Sequence, residues 1–354
     1  MKVASLPVAL NVTGVAAVMA LLYVFRALLW PLAMAFVLAI LINALVRVIV
    51  HAWPSAGRLT VMVLASAVVA GLLMVGVVVV VSGAAELAGQ LPQLAVRLNA
   101  LFERAGQLVK LEGVSLTSLA SGLDLPALAA RVLGSLQGAV SGVLLTVLFL
   151  IFILTSRHLI RSKMEIIASF RRPTGMPSVL ERTVKGVETY VWIQTITGLM
   201  IAAASGAIMA LAGLDNALFW TLALFMLSYI PVLGVGVGSL APALFALLQF
   251  PTVWQALAIF LGIQAVSFLV GNLVLPKMQA TSQNIDPTIG LLAVGVLSVL
   301  WGIPGAFLAI PLTLALMLQL AQFESLRWIA VLISNDGHPI SDTLAVEVGS
   351  RTVP

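Results

Sequence analysis

Apolar runs separated by short polar segments dominate the chain. A helix that crosses a bilayer needs about 20 mainly apolar residues, and most of these runs reach that length. The pattern predicts an all-α, polytopic membrane protein with about eight hydrophobic segments. The runs cover residues 8–25, 27–46, 59–82, 138–156, 190–212, 217–249, 254–275 and 289–321.

The composition excludes a soluble globule. Of the 354 residues, 61% are hydrophobic and 9% are charged, and the mean hydropathy is +1.15. A soluble domain carries about 25% charged residues, so this chain has too few to cover its own surface in water. Membrane lipid is therefore the predicted partner of most of the chain.

The placement of basic residues predicts the orientation. Residues 157–188 carry more Arg and Lys than Asp and Glu, whereas residues 83–137 carry both signs in balance. Cytoplasmic loops are enriched in basic residues, so 157–188 and both termini are expected in the cytoplasm of a bacterium, with the spans in its inner membrane. The net charge of +5 comes without a nucleic-acid-binding motif, so no nucleic acid partner is predicted.

These patterns divide the chain into five predicted regions. They are an N-terminal three-span frame (1–82), an extracytoplasmic amphipathic helical segment (83–137), the fourth span with a basic cytoplasmic segment (138–189), a transport unit (190–321) and a cytoplasmic tail (322–354).

Within the second region, leucines from Leu87 to Leu101 recur at alternating spacings of four and three residues, and Leu108 follows seven residues later. This spacing puts one apolar stripe on a helix. The stripe either packs on its own protomer or the membrane surface, or forms an oligomer contact of the coiled-coil type.

The last third of the chain contains a weak two-fold repeat with an offset of about 70 residues. Each copy has an uninterrupted span followed by an apolar stretch that is broken in its middle. The matched positions are Ile193-Gln194 with Ile263-Gln264, Leu214-Asp215 with Ile285-Asp286, Gly236 with Gly305, Pro242 with Pro311, and Gln249 with Gln319.

The two breaks are rich in glycine and proline. The first runs from Pro231 to Ser239 and includes Gly234, Gly236 and Gly238; the second is Gly302-Ile303-Pro304-Gly305. Such segments favour local unwinding, and backbone groups freed at membrane depth must face protein or a water-filled cavity. Paired breaks of this kind point to a transporter binding site. The alternative is that the glycines only allow close helix packing.

Length separates two topologies for the broken stretches 217–249 and 289–321. As single helices they would extend about 50 Å, against a hydrocarbon core of about 30 Å. Each is therefore either a re-entrant hairpin or a broken helix that crosses once. The hairpin topology, which we favour, places Lys277 in the cytoplasm, and the other topology places it outside.

Several short motifs resemble the autoinducer-2 exporter family of bacterial membrane proteins, the PerM-like permeases. The resemblance is most specific from Tyr190 to the end of the last span. It rests on Tyr190 and Gln194, Ile230-Pro231-Val232-Leu233-Gly234, Leu275-Pro276-Lys277, Asp286-Pro287, and Gly302-Ile303-Pro304-Gly305 with Ala309-Ile310-Pro311. The resemblance implies an oligomer, by analogy a homo-pentamer, that exports autoinducer-2 or exchanges sodium for protons.

Neutral polar side chains are the candidate ligands at membrane depth. Together with the break glycines and prolines they can hold a small polar solute through hydrogen bonds and half-helix dipoles; singly, each could instead be an interhelical hydrogen bond. The predicted solute-binding residues are Gln194, Pro231, Gly234, Gly236, Gly238, Ser239, Gln264, Asn272, Gly302, Pro304 and Gly305.

Three acidic residues lie at the ends of predicted spans. Glu188, Asp215 and Asp286 are candidates for ion coupling, because an ionisable group at a membrane site is usually kept for function. For Asp215 and Asp286 the alternative is a helix N-cap, which the following Pro287 favours in the second case.

No enzyme chemistry is predicted. The sequence has no cysteine and none of the HExxH, Walker A or GxSxG motifs, so neither a cofactor nor a metal site is expected. We therefore expect a gradient-driven or passive transporter that exports a small polar solute such as an autoinducer-2-like signal. A sodium–proton antiporter and a channel-like pore are the alternatives.

Overall fold

The computed structural model describes residues 5–55, 57–109, 134, 138, 140–156, 163, 176–230, 233–279 and 284–339. All regular structure in these residues is helical, and no strand occurs among them. The all-α prediction is therefore confirmed. Pro231 and most of the basic segment 157–175 lie outside the described residues.

Twelve helices follow one another along the described chain. The first six are α1 (Ser5–Val24), α2 (Arg26–Ala52), α3 (Arg58–Val109), α4 (Val140–Ser156), α5 (Met176–Leu211) and α6 (Ala217–Ser228). The others are α7 (Leu233–Gln249), α8 (Val253–Leu269), α9 (Leu275–Gln279), α10 (Pro287–Trp301), α11 (Ile303–Leu320) and α12 (Arg327–Ile333).

Five helical stretches are long and apolar enough to cross a membrane. They are Arg26–Ala52, Arg58–Gln90, Glu181–Leu211, Val253–Met278 and Ile303–Leu320. This is a polytopic membrane protein. The remaining apolar helices are shorter, and among them are α6 and α10, each of which forms the first arm of a broken stretch.

The segment predicted to be an amphipathic helix continues α3 without a break as far as Val109. Leu87, the first residue of its leucine stripe, packs against the apolar core formed by α5, α6, α7 and α8. That contact agrees with packing on the same protomer. The side chains of the later leucines lie outside the described part.

The chain divides into two compact units. The first unit comprises residues 1–69, 144–195 and 276–354, and the second comprises residues 70–143 and 196–275. The core of the first unit is built mainly from α2, α5, α10, α11 and α12, around fully buried Leu308 and Met317. The core of the second unit surrounds fully buried Met209, Ile259 and Ile263. The five regions predicted from the sequence remain predictions.

Both broken stretches fold as helical hairpins. In the first, Gly234 lies against Leu227 and Gly238 lies against Leu224, so α6 and α7 run antiparallel. In the second, Gly305 lies against Leu297, and Gly290 lies against Ile310, so α10 and α11 also run antiparallel. A stretch that crossed once would need its two arms in line, and neither stretch has that geometry.

A π-helical turn, Val270–Val274, joins α8 to α9. Its cause is Pro276, which has no N–H to donate to the carbonyl of Asn272 and would clash with that carbonyl in an α-helix. The N–H of Leu275 donates to Val270 O, five residues back, and the helix widens. The helical path nevertheless continues, so Val253–Met278 can act as one span.

The sidedness of Lys277 tests the hairpin topology. Because Val253–Met278 is 26 residues long, about 39 Å, its two ends should lie on opposite sides of the bilayer. The sequence contains no cysteine, so a single Lys277→Cys variant can be labelled with an impermeant maleimide in right-side-out and inside-out vesicles. We expect labelling from the cytoplasmic side only, and labelling of a Val253→Cys control from the other side. Labelling of position 277 from outside would contradict the hairpin topology with a cytoplasmic N-terminus.

Candidate solute site

The second break consists of one residue. Gly302 ends α10 and caps α11 with φ 69° and ψ −146°, a conformation that side-chain-bearing residues rarely adopt. Its N–H donates to Ser298 O at 2.8 Å, and its carbonyl accepts from Ala306 N at 3.1 Å. Pro304 occupies the first turn of α11, where a missing N–H costs little. Glycine and proline here make a sharp turn.

Gly305 marks the closest approach of the two arms of this hairpin. A Cβ at position 305 would lie 1.9 Å from the carbonyl oxygen of Leu297. A backbone carbonyl of a helix cannot move away as a side-chain end can, so only glycine permits this packing.

The first break has the same construction at Gly234. A Cβ at position 234 would lie 2.4 Å from the carbonyl oxygen of Leu227. The structural counterpart of Gly305 is therefore Gly234. Gly236, which the sequence repeat matches with Gly305, has different surroundings: nothing lies within 4 Å of a Cβ at position 236.

The first break is less unwound than its glycine pattern predicts. α7 begins at Leu233 and contains Gly234, Gly236 and Gly238 in regular helix. The N–H of Gly234 donates to Ile230 O at 2.9 Å, so it is not left bare. At Gly238, as at Gly234, a Cβ would press on α6. Close packing, the alternative reading of the glycines, explains these two positions.

The neutral polar candidates occupy different surroundings. Gln194 is half-buried on α5, and Asn272 is exposed with its Nδ2 donating to Phe268 O at 2.9 Å. Ser239 is fully buried, and its hydroxyl donates to Gly236 O at 3.2 Å. Gln264 is half-buried, and its buried Oε1 has no hydrogen-bond partner. Ser239, Gln264 and Asn272 belong to the second unit.

Glu188 has a cationic partner. Its carboxylate forms an ion pair with the guanidinium of Arg47 on α2. Glu188 is mostly buried, with 19% of its side chain exposed, whereas the Arg47 side chain is 56% exposed. Arg47 therefore occupies this carboxylate and leaves it less free to bind a coupling cation.

Asp215 is not the N-cap of α6, which was the alternative to ion coupling for this residue. Asn216 takes the N-cap position of α6 in the left-handed conformation, φ 54°, without a side-chain cap. The loop is held instead by Gln249, whose Oε1 accepts from Asp215 N at 2.8 Å and whose Nε2 donates to Gly213 O at 2.9 Å. Gln319, its partner in the sequence repeat, bonds Thr183 instead.

Asp286 is the N-cap of α10. Its carboxylate accepts from the N–H groups of Thr288 and Ile289, and Pro287 follows at the first helical position. The hydrogen bond from Ile289 N–H, helped by those from Thr288, holds the pKa of Asp286 below its ordinary value. Asp286 therefore stays ionised at neutral pH and is engaged by the helix N-terminus.

A network beside Asp286 anchors the residues after α12. Asp286 N donates to Ile333 O, and Asn284 Nδ2 donates to both Asp336 Oδ1 and His338 O at 2.6 Å. The hydrogen bond from His338 N–H, together with that from Asn284, lowers the pKa of Asp336. Sequence reasoning missed this contact, because the partners are some fifty positions apart.

Comparison with known proteins decides the family. The profile of the AI-2E family transporters matches residues 13–323, most of the chain. The chain belongs to the AI-2E transporter family.

Two relatives show how far this likeness extends. The AI-2 transport protein TqsA of Escherichia coli strain K12 is 25% identical over 310 residues, which cover 86% of this chain and 89% of TqsA. A transport protein YhhT of the same organism, whose name states no solute, is 27% identical over 178 residues, half of each chain. The resemblance inferred from the break motifs is confirmed, and membership of a transporter family agrees with the expectation that the chain is not an enzyme.

Two features of this AI-2E transporter could not be read from its sequence. One is a cavity of about 350 Å³ in the first unit, almost wholly apolar, between α2, α5 and α11 and beside Trp301. The other is a pair of buried serines in the second unit, Ser205 and Ser267, whose hydroxyls have no hydrogen-bond partner. Ser205 stands in an alanine-rich run, where its side chain gave no signal of its surroundings.

Proposed function

We propose that this protein carries a small polar solute across the bacterial inner membrane by a gradient-driven or passive mechanism, and that an autoinducer-2-like signal is its solute. The proposal rests on the pair of short-armed hairpins in a chain of this family. Three of the four arms have 12 to 17 residues, or about 18 to 26 Å, less than the hydrocarbon core of about 30 Å. The fourth arm, Ile303–Leu320, has 18 residues and comes nearest to that thickness.

Short hairpins place helix ends inside the bilayer. Carbonyls and N–H groups at those ends carry partial charges of about half a unit, which suit a solute with hydroxyl or carbonyl groups. The likeness to a protein named as an AI-2 transport protein extends over nearly the full length of both chains, which supports the same class of solute.

The ionisable candidates favour solute transport over proton exchange. Glu188 is paired with Arg47, and Asp286 caps α10. The hydrogen bonds from the N-terminus of α10 hold the pKa of Asp286 below its ordinary value, so Asp286 is poorly placed to take up a proton at neutral pH. The Glu188 carboxylate is occupied by the guanidinium of Arg47. Orientation with both termini in the cytoplasm, and assembly as a homo-oligomer, belong to the same proposal.

Purified protein in proteoliposomes tests the function. Liposomes loaded with autoinducer-2 should release it with saturable kinetics, and unlabelled solute on the opposite side should accelerate exchange of labelled solute. Protein-free liposomes are the control. Flux that neither saturates nor counter-exchanges would instead indicate a pore. Proton movement driven by a sodium gradient, without organic solute, would support the antiporter and overturn the proposal.

A further inference from the structure

We infer that Ser205, Ser267 and Gln264 form a subsite of the second unit that binds a hydroxyl group of a neutral solute. This inference rests on the proposed function and specifies which atoms would recognise the solute. It starts from the three buried oxygen atoms without hydrogen-bond partners on α5 and α8: Ser205 Oγ, Ser267 Oγ and Gln264 Oε1.

Both serines lie on the helix faces that form the apolar core of the second unit. On α5, Ser205 lies one turn before Met209, and both are 0% exposed. On α8, Ser267 lies one turn after Ile263, with 5% of its surface exposed. Residues one turn apart share a helix face. The hydroxyls therefore extend the same stripes that bring Met209 and Ile263 into one core.

Three chain reversals make α5 and α8 antiparallel. Gly198 and Gly206 of α5 lie against Ser228 and Thr221 of α6, so these helices run in opposite directions. α6 and α7 also run antiparallel, and residues 250–252 then reverse the chain into α8.

The contact between Ile208 and Gly262 shows which residues of α5 and α8 lie at the same height along the helix axes. A Cβ at position 262 would lie 3.1 Å from the Ile208 side chain. Ser205, three residues before Ile208 on an antiparallel helix, then lies at the level of residue 265. At about 1.5 Å per residue, this level is within about 3 Å of both Gln264 and Ser267 along the helix axis. The three oxygen atoms therefore belong to one polar layer above the apolar core.

The missing hydrogen bonds distinguish these serines from others in the chain. A serine in an apolar helix usually donates to the carbonyl one turn back. Ser66 does so to Met62 O at 2.7 Å, and Ser298 does so to Val294 O. A buried hydroxyl without a partner is destabilising, so two of them in one layer with an amide oxygen point to an external partner.

The atoms define the class of ligand. Each serine hydroxyl can donate and accept, whereas Gln264 Oε1 only accepts. A hydroxyl group fits this set, because it can donate its hydrogen to Gln264 Oε1 and accept from a serine. An anionic group would be repelled by the amide oxygen.

Removing each hydroxyl tests the subsite. Ser205→Ala and Ser267→Ala should each weaken autoinducer-2 binding about 3- to 10-fold, the effect of one lost hydrogen bond, while the melting temperature of the unliganded protein stays equal or rises. Ser66→Ala, which removes a hydroxyl bonded within its own helix, is the matched control and should leave the affinity unchanged. Unchanged affinity in both variants would overturn the inference.

Cysteine labelling provides a readout that does not depend on transport. Because both serines are buried in this structure, reaction requires that the layer opens to water during transport. Ser205→Cys and Ser267→Cys should then react with a small hydrophilic methanethiosulfonate, and autoinducer-2 or ribose should protect them. Absence of reaction would show sealed packing and overturn the subsite, as would protection by sodium ions instead of the polyol. If wild-type liposomes do not move autoinducer-2, the proposed function fails, and protection by ribose still decides the subsite.

Discussion

Replacing Gly305 with alanine should strongly reduce solute flux. The added methyl group would lie 1.9 Å from Leu297 O, far inside contact distance, so α10 and α11 must separate or shift. Overpacking against a backbone costs about 1–3 kcal/mol even where the surroundings adjust, and a displaced arm would alter the second break. Flux in proteoliposomes should fall at least about 10-fold, which corresponds to about 1.4 kcal/mol, within the lower half of that range.

Two other glycines serve as matched controls. Gly295 lies on α10 beside the same hairpin, and Gly236 lies on α7 near the first break; a Cβ at either position meets nothing within 4 Å. Gly295→Ala and Gly236→Ala should therefore retain flux, whereas Gly234→Ala should behave like Gly305→Ala. Melting temperatures of all four variants identify any that fail to fold. Normal flux in both Gly305→Ala and Gly234→Ala would contradict the role of the hairpins.

Much of the fold follows from spacing along the sequence. Apolar runs of span length predict the membrane helices, and glycine next to proline predicts where the last two runs reverse. Gly302 and Pro304 could be read correctly, because one residue with positive φ and one proline in a first helical turn have local causes.

The error at the first break has a physical cause. Three alternate glycines indicate either unwinding or close packing, and only the distance to a neighbouring helix separates the two. Gly234 and Gly238 lie against α6, so the helix stays regular there. That distance depends on α6, whose contact with α7 no local pattern encodes.

The two aspartates of the sequence repeat illustrate the same limit. Asp286 precedes Pro287, which disfavours helical backbone at position 286 and leaves the carboxylate in capping geometry. Asp215 lacks a following proline, and Gly213 with φ 74° turns the chain earlier, so Asn216 takes the N-cap position of α6. A shared motif therefore gave two different structures, and the unpartnered serines gave no sequence signal at all.

Trp301→Ala should destabilise the first unit more than a substitution of any exposed tryptophan. The Trp301 side chain is 9% exposed, and its Nε1 donates to Leu22 O at 3.1 Å. Truncating a buried tryptophan costs about 3–5 kcal/mol, because apolar contacts are lost and a cavity remains. At this position the new void would join the apolar cavity between α2 and α11, and an apolar void offers water no hydrogen-bond partners. The melting temperature in detergent should fall clearly.

Graded variants separate the two contributions of Trp301. Trp301→Phe keeps most of the apolar volume but removes the indole N–H, leaving the carbonyl of Leu22 without that donor; its loss should lie near the cost of one hydrogen bond, about 0.5–1.5 kcal/mol. Trp254→Ala, at a residue 72% exposed, should change the melting temperature little. Equal losses for the phenylalanine and alanine variants would mean that the hydrogen bond, and not the buried ring, attaches α1 to the second break. Trp301 directly precedes Gly302 and bonds Leu22 on α1. A variant that lowers flux without lowering the melting temperature would therefore indicate that this contact with α1 positions the turn at Gly302.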